Sequence, residues 1–158
     1  MDQEKYSRVL NRLQAQCSRR ECCVSDIRSK ASKAMDGDEE AAGLIVDSLV
    51  ADKFVDDLRY ASAFAREKSS LSGWGPQKIS FMLMHKGIDR QVIAEALTEV
   101  DADAAGRKLE SVVAARYRLL SEDPQCRLKL LKFALGRGYG YDEVKSAVDK
   151  VMKAEDSF

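Results

Sequence analysis

One pattern of apolar, basic and glycine positions occurs twice in this sequence, 51 residues apart. The first copy runs Lys78, Ile79, Leu83, Lys86, Gly87, Ile88, then Ile93, Ala96, Leu97 and Val100. The second runs Lys129, Leu130, Ala134, Arg137, Gly138, Tyr139, then Val144, Ala147, Val148 and Val151. The register holds without a gap through a helix core, a helix stop and the next helix. Self-similarity at a fixed period marks a repeat architecture, in which no unit buries its apolar face alone and stacked neighbours share a core. The surfaces of such arrays usually bind polymers or other proteins.

The helical reading follows from spacing and punctuation. Tyr6, Val9, Leu10, Leu13 and Cys17 stand at i, i+3, i+4 intervals and predict a first amphipathic helix. Ser25 is placed to cap a second helix carrying Ile27 and Ala31, and Asp36, Gly37 and Asp38 make a turn before a third with Leu44, Ile45 and Leu49. Asp56 caps a fourth, with Asp57 in the first turn where the helix dipole favours an anion. Gly75 followed by Pro76 opens a fifth, since proline at the first helical position forfeits no hydrogen bond. That helix stops at Lys86 and Gly87, and Asp89 opens a sixth. The scheme then repeats: a long helix near 103–121, a start at Asp123 and Pro124, a stop at Arg137 and Gly138, and a last helix from about Tyr141.

The expected fold is therefore all-α. Nine helices form three tandem three-helix units in a curved helical repeat array, with units at 1–54, 55–100 and 101–158. The first unit diverges, needing about four extra residues around 36–39 to keep the register, as terminal repeats often do.

Catalytic chemistry finds little support. His85, the sole histidine, lies at a helix end with no predicted partner. The glycines 136, 138 and 140 follow a helix, whereas phosphate-binding glycine loops follow a strand. The adjacent acids at 39–40 and 56–57 sit at helix starts, where capping explains them. Cys17, Cys22, Cys23 and Cys126 lack zinc spacing and read as reduced, partly buried thiols. No enzyme, metal or cofactor is expected. The first ten residues hold no apolar signal core, and no run approaches the roughly 18 apolar residues of a membrane span. The expectation is a cytoplasmic monomer.

Charge carries more information in its placement than in its sum, since 26 basic and 26 acidic side chains cancel. Residues 59–86 hold five basic side chains and one acid, and residues 124–141 hold four basic side chains and none. Residues 36–47 instead hold five acids and no base, and 89–103 hold five acids against Arg90. A basic rim of Arg66, Lys68, Lys78, Lys86, Arg127, Lys129, Lys132 and Arg137 is thus the candidate binding surface, suited to a phosphate backbone or an acidic protein groove. A solvated helical face would show the same composition. Tyr60, Trp74, Tyr139 and Tyr141 lie near these residues and suit either base stacking or core packing. Phe81, Met82 and Met84 make the fifth helix apolar on most sides; it is either buried or offers a docking patch at Phe81 and Met84.

Three segments resemble the RecX family of recombination regulators. The run Phe54, Val55, Asp56, Asp57, Leu58, Arg59, Tyr60, Ala61 is similar to the family's hydrophobic-D-D-x-(R/K)-(F/Y)-A segment. Gly73, Trp74, Gly75, Pro76, Gln77, Lys78 and Ile79, then Leu83, Lys86, Gly87 and Ile88, follow its most specific signature. Leu135, Arg137, Gly138 and Tyr139 resemble its C-terminal counterpart. The resemblance implies a non-enzymatic helical module that binds the RecA nucleoprotein filament in its groove. Such proteins limit filament growth and damp its ATPase, strand-exchange and coprotease activities, and some bind single- or double-stranded DNA directly. The alternative reading is an independent DNA-binding protein built from helix-turn-helix-like units. It would need basic, polar recognition helices where this sequence is acidic. A scaffold for other proteins is a third reading open to the same residues.

Overall fold

A computed structural model describes residues 2–156, and among these the chain forms nine helices and no strand. They are α1 (Gln3–Arg19), α2 (Val24–Ala34), α3 (Glu39–Ala51), α4 (Asp57–Leu71), α5 (Pro76–His85), α6 (Arg90–Leu97), α7 (Ala102–Leu120), α8 (Cys126–Leu135) and α9 (Tyr141–Asp156). The all-helical expectation holds. So do the starts at Pro76 and Tyr141 and the cap at Asp56, which accepts from Arg59 N–H at 3.0 Å; Asp38, expected only in a turn, also caps α3, accepting from Ala41 N–H at 3.0 Å.

Two sequence expectations fail locally, for a shared reason. Ser25 does not cap α2. It lies one residue inside the helix, and its hydroxyl donates to the carbonyl of Lys86 at 2.6 Å. The exposed N–H of Val24 is instead met by the carboxylate of Asp57 at 2.8 Å, a cap delivered from α4. Likewise α8 begins at Cys126, not at Pro124: Asp123 turns back to accept from Gln125 N–H at 2.8 Å, which closes a turn before the helix starts. In both places a side-chain oxygen finds a better partner than the one local pattern suggests.

The chain divides into two compact units, one of Met1–Ala63 with Leu83–Ala96 and one of Phe64–Met82 with Leu97–Phe158. In the first, α1, α2 and α3 pack on one another around Val9, Leu13, Ile27, Ala31, Ile45 and Leu49. The buried residues of α3 (Ala41, Ala42, Ile45, Val46, Leu49) cover a face about 140° wide at roughly 100° per residue, broad enough to pack against both α1 and α2. In the second, α7, α8 and α9 enclose Leu109, Val113, Leu130, Ala134, Val144 and Val148.

The 51-residue register has a physical counterpart. Ile79 and Leu130, Leu83 and Ala134, Ile88 and Tyr139, Ile93 and Val144 are buried at both positions of each pair. Gly87 and Gly138 both take positive φ, 72° and 94°, the left-handed conformation that glycine adopts without strain. The exceptions are Leu97 and Val100, half-buried where their counterparts Val148 and Val151 are buried, because both border an open cavity. All four cysteines are free and buried.

Candidate functional site

The most distinctive chemistry of the second unit is built by two backbone segments that touch. After α4, the N–H groups of Ser72 and Trp74 both donate to the carbonyl of Lys68, at 3.2 and 3.0 Å, and the chain turns through Gly73. Gly75 then donates to the carbonyl of Arg137 at 2.6 Å, and Gln77 donates to that of Gly138 at 3.1 Å. The approach requires glycine on both sides. A Cβ on Gly75 would stand 2.5 Å from the Gly138 carbonyl oxygen, and one on Gly138 would stand 2.5 Å from the Lys78 nitrogen. The start of α5 and the loop after α8 are thereby locked in register.

This contact gathers positive charge. Lys78 reaches over the indole of Trp74, its ammonium 4.3 Å from the ring centroid, and donates to the carbonyl of Gly136 at 3.1 Å. Lys68 lies over the same indole at 5.0 Å and over Phe64 at 5.7 Å. Arg137 donates to the carbonyl of Ser72 at 3.1 Å, and its guanidinium sits 4.9 Å from the Phe133 centroid. Arg116, from α7, stacks on Phe133 at 4.4 Å. The lysine at the centre feels this crowding: partial burial, then Arg137 and Lys68, push the Lys78 ammonium below its ordinary pKa. Aromatic faces and carbonyls partly compensate the charge, but among the described residues none of these cations meets a carboxylate. A cluster of like charges without counter-ions is what an anion such as a phosphate would complete.

The other sequence-derived cations stand differently. Arg66 is paired with Glu99 at 2.6 Å, Arg127 with Asp149 at 3.1 Å, and Lys129 with Asp123. Lys86 belongs to the first unit, where it pairs with Asp26 at 3.1 Å. Lys132 is exposed on α8 and has no carboxylate partner among the described residues. The eight candidate cations therefore split into four paired with a carboxylate and, among the described residues, four that are not. Phe81 and Met84 are 59% and 53% exposed on α5. Tyr139 offers no ring for stacking: it is buried, and its hydroxyl donates to the carbonyls of Trp74 and Ala105 at 3.4 and 3.3 Å. Sequence reasoning did not reach Arg116, whose place depends on α7 packing beside α8; its counterpart in the repeat register is Ala65, so periodicity carried no signal for it.

Among the described residues no group of histidine, cysteine and acidic side chains could hold a metal ion, and no helix is long and apolar enough to cross a membrane.

Comparison with known proteins gives this geometry a family. Residues 56–97 match the family described as "RecX, second three-helix domain". A protein named Regulatory protein RecX from Clostridium botulinum (strain Alaska E43 / Type E3) is 35% identical over 124 residues. That alignment takes in 75% of this chain but 57% of the relative, so the chain spans little more than half of its length. A protein of the same name from Mycobacterium sp. (strain JLS) is 32% identical over 124 residues, covering 75% of this chain and 68% of the relative. Two crystal structures share the fold. One is of regulatory protein RecX, with a TM-score of 0.79 at 22% identity over 92% of this chain and 72% of that one. The other is of RecX from Lactobacillus salivarius, at 0.75 and 20% over 94% and 97%. With a helical repeat shared across this chain's length and identity of 32% over two thirds of a RecX protein, the chain belongs to the RecX family.

Proposed function

We propose that this chain is a non-enzymatic regulator that binds RecA nucleoprotein filaments and limits their growth, ATPase, strand exchange and coprotease activity. It acts as a cytoplasmic monomer and places Lys68, Lys78 and Arg137 against filament phosphates or acidic side chains. The observation carrying this reading is the gathering of Lys68 and Lys78 over Trp74, with Arg137 near enough to act on Lys78 and, among the described residues, no carboxylate to neutralise the three. A cation already paired within the protein must give up that partner before it can serve another. Arg66, Lys86, Arg127 and Lys129 are so paired and play the smaller part. Lys132 extends the contact. The division into three-helix units at 1–54, 55–100 and 101–158 belongs to the same proposal, supported by the family match over 56–97. An independent DNA-binding function is less well supported, because the first turn of α9, where a recognition helix would read bases, carries Asp142 and Glu143.

The test compares two triple variants with equal change in net charge: Lys68→Glu, Lys78→Glu, Lys132→Glu against Arg66→Glu, Arg127→Glu, Lys129→Glu. Both are checked for folding by circular dichroism, then assayed for inhibition of RecA ATPase on single-stranded DNA and for binding to DNA alone. The first set is expected to weaken inhibition at least about tenfold, and the second much less. Three phosphate contacts on single-stranded DNA imply roughly twenty-fold weaker binding for a fourfold rise in salt. Equal inhibition by both variants, or no salt dependence, would refute the cluster. Wild-type affinity for DNA alone matching that for filaments would favour the independent DNA binder.

A further inference from the structure

The second unit also contains a cavity of about 620 Å³, within the range of roughly 300–1,000 Å³ typical of ligand pockets. Its walls are apolar: Pro76, Ile79, Leu97, Val100, Ala105 and Leu109 are among the lining residues, with Trp74 contributing its ring. Two hydroxyls border it: that of Tyr139 is engaged by the carbonyls of Trp74 and Ala105, and that of Ser146 lies on exposed α9. The charged groups of the lining are all acidic. Glu110 shares its charge with Lys150 at 3.0 Å, whereas Asp142 and Glu143, exposed at the start of α9, have no cationic partner among the described residues.

One further feature keeps this space open. Gly106 lines the cavity from within α7, and a Cβ built on it would meet nothing within 4 Å. Glycine inside a helix and an unfilled apolar hollow each destabilise a fold. Here both occur at one spot, with carboxylates around it.

We propose that this cavity receives a short segment of a partner protein in which apolar side chains are flanked by lysine or arginine. The apolar anchors fill the hollow, where they lose water at no polar cost, and the flanking cations meet Asp142 and Glu143. The occupant has the opposite charge preference to the cluster around Lys78, so this is a second docking site, although the two share Trp74, whose ring lines the cavity and carries Lys68 and Lys78.

The sole tryptophan of the sequence, Trp74, lines the cavity and reports on its filling. The probes are a short acetylated peptide of alternating leucine and lysine, its leucine–glutamate counterpart, and phenethylamine. Trp74 emission and the methyl resonances of Ile79 and Leu109 are followed during titration. The lysine peptide is expected to bind saturably, at least about tenfold tighter than the glutamate peptide. Gly106→Leu, which places a side chain in the open space, should abolish that response. The double variant Asp142→Asn, Glu143→Gln should reduce the preference for lysine while leaving the cavity open. The triple variant Lys68→Glu, Lys78→Glu, Lys132→Glu removes two ammonium groups over the Trp74 ring and so alters its emission. It should retain saturable peptide binding by the Ile79 and Leu109 methyl resonances, so failure here and failure of the filament proposal can be told apart. Three results would overturn the inference: no saturable response to the lysine peptide, an unchanged response in Gly106→Leu, or phenethylamine binding as tightly as the peptide.

Discussion

Gly87 and Gly138 occupy the same position in the repeat but differ in their surroundings, and alanine at each separates two costs that are usually confounded. Both have positive φ, so alanine at either pays for the left-handed backbone, about 1–2 kcal/mol. At Gly87 that is nearly all, since the nearest atom to an added Cβ is Ser25 Cβ at 3.8 Å, an ordinary contact. At Gly138 the added Cβ would fall on the Lys78 backbone, 2.5 Å from its nitrogen and 2.9 Å from its Cα, and backbone cannot rotate away. Forcing the two segments apart adds roughly 1–3 kcal/mol, the usual penalty of overpacking. Gly138→Ala should therefore lose about 2–5 kcal/mol and Gly87→Ala about 1–2 kcal/mol, large fractions of the roughly 5–15 kcal/mol that holds a typical domain folded. Urea unfolding with amide hydrogen exchange resolved by residue is the assay. In Gly138→Ala, protection should fall at Gly75 and Gln77, whose N–H groups cross to the Arg137 and Gly138 carbonyls. Equal losses for the two variants, or unchanged protection at Gly75, would refute the close-contact argument.

Two smaller perturbations probe the first unit. Asp57→Ala should cost about 0.5–2 kcal/mol through loss of the cap on α2, with faster amide exchange at Val24 although the substitution lies in α4. Burial and the neighbouring Cys22 push the Cys17 thiol up to about 12, so it stays protonated well above the pH at which free thiols react. Alkylation of Cys17 by iodoacetamide at pH 8.5, followed by mass spectrometry, should be slow in the folded protein and accelerate in urea; rapid alkylation without denaturant would contradict its environment.

Elements with a local cause were legible in the sequence. Asp56 accepts from the N–H three residues on, at 3.0 Å, and that cap is written in neighbouring residues. So are the apolar spacings of α1 and α9 and the glycines that end α5 and follow α8. What was not legible depends on partners far along the chain. Ser25 resembles a cap until the carbonyl of Lys86, 61 residues away, claims its hydroxyl. Arg66, Arg127 and Lys129 look like the cations of the cluster in composition. Only the folded chain shows them neutralised by Glu99, Asp149 and Asp123, while Lys68, Lys78 and Arg137 are left to aromatic rings and carbonyls. The cavity was invisible for a related reason: periodicity reports which faces are apolar, not whether the space between them is filled.

The crossing of Gly75 with Gly138 also sets when the cationic cluster can come into being. Arg137 and Ser72 are 65 residues apart, and no local structure brings them together. A chain leaving the ribosome exposes Lys68 and Lys78 long before residues 136–138 exist to receive them, and domains form from the N-terminus as synthesis proceeds. Until α8 and its following loop have been made and docked, the lysines are separate, solvated charges with little pull on an anion. Closing so long a loop is among the slower steps of folding. The site therefore cannot form before residue 137 has been made, and a chain halted earlier is without it.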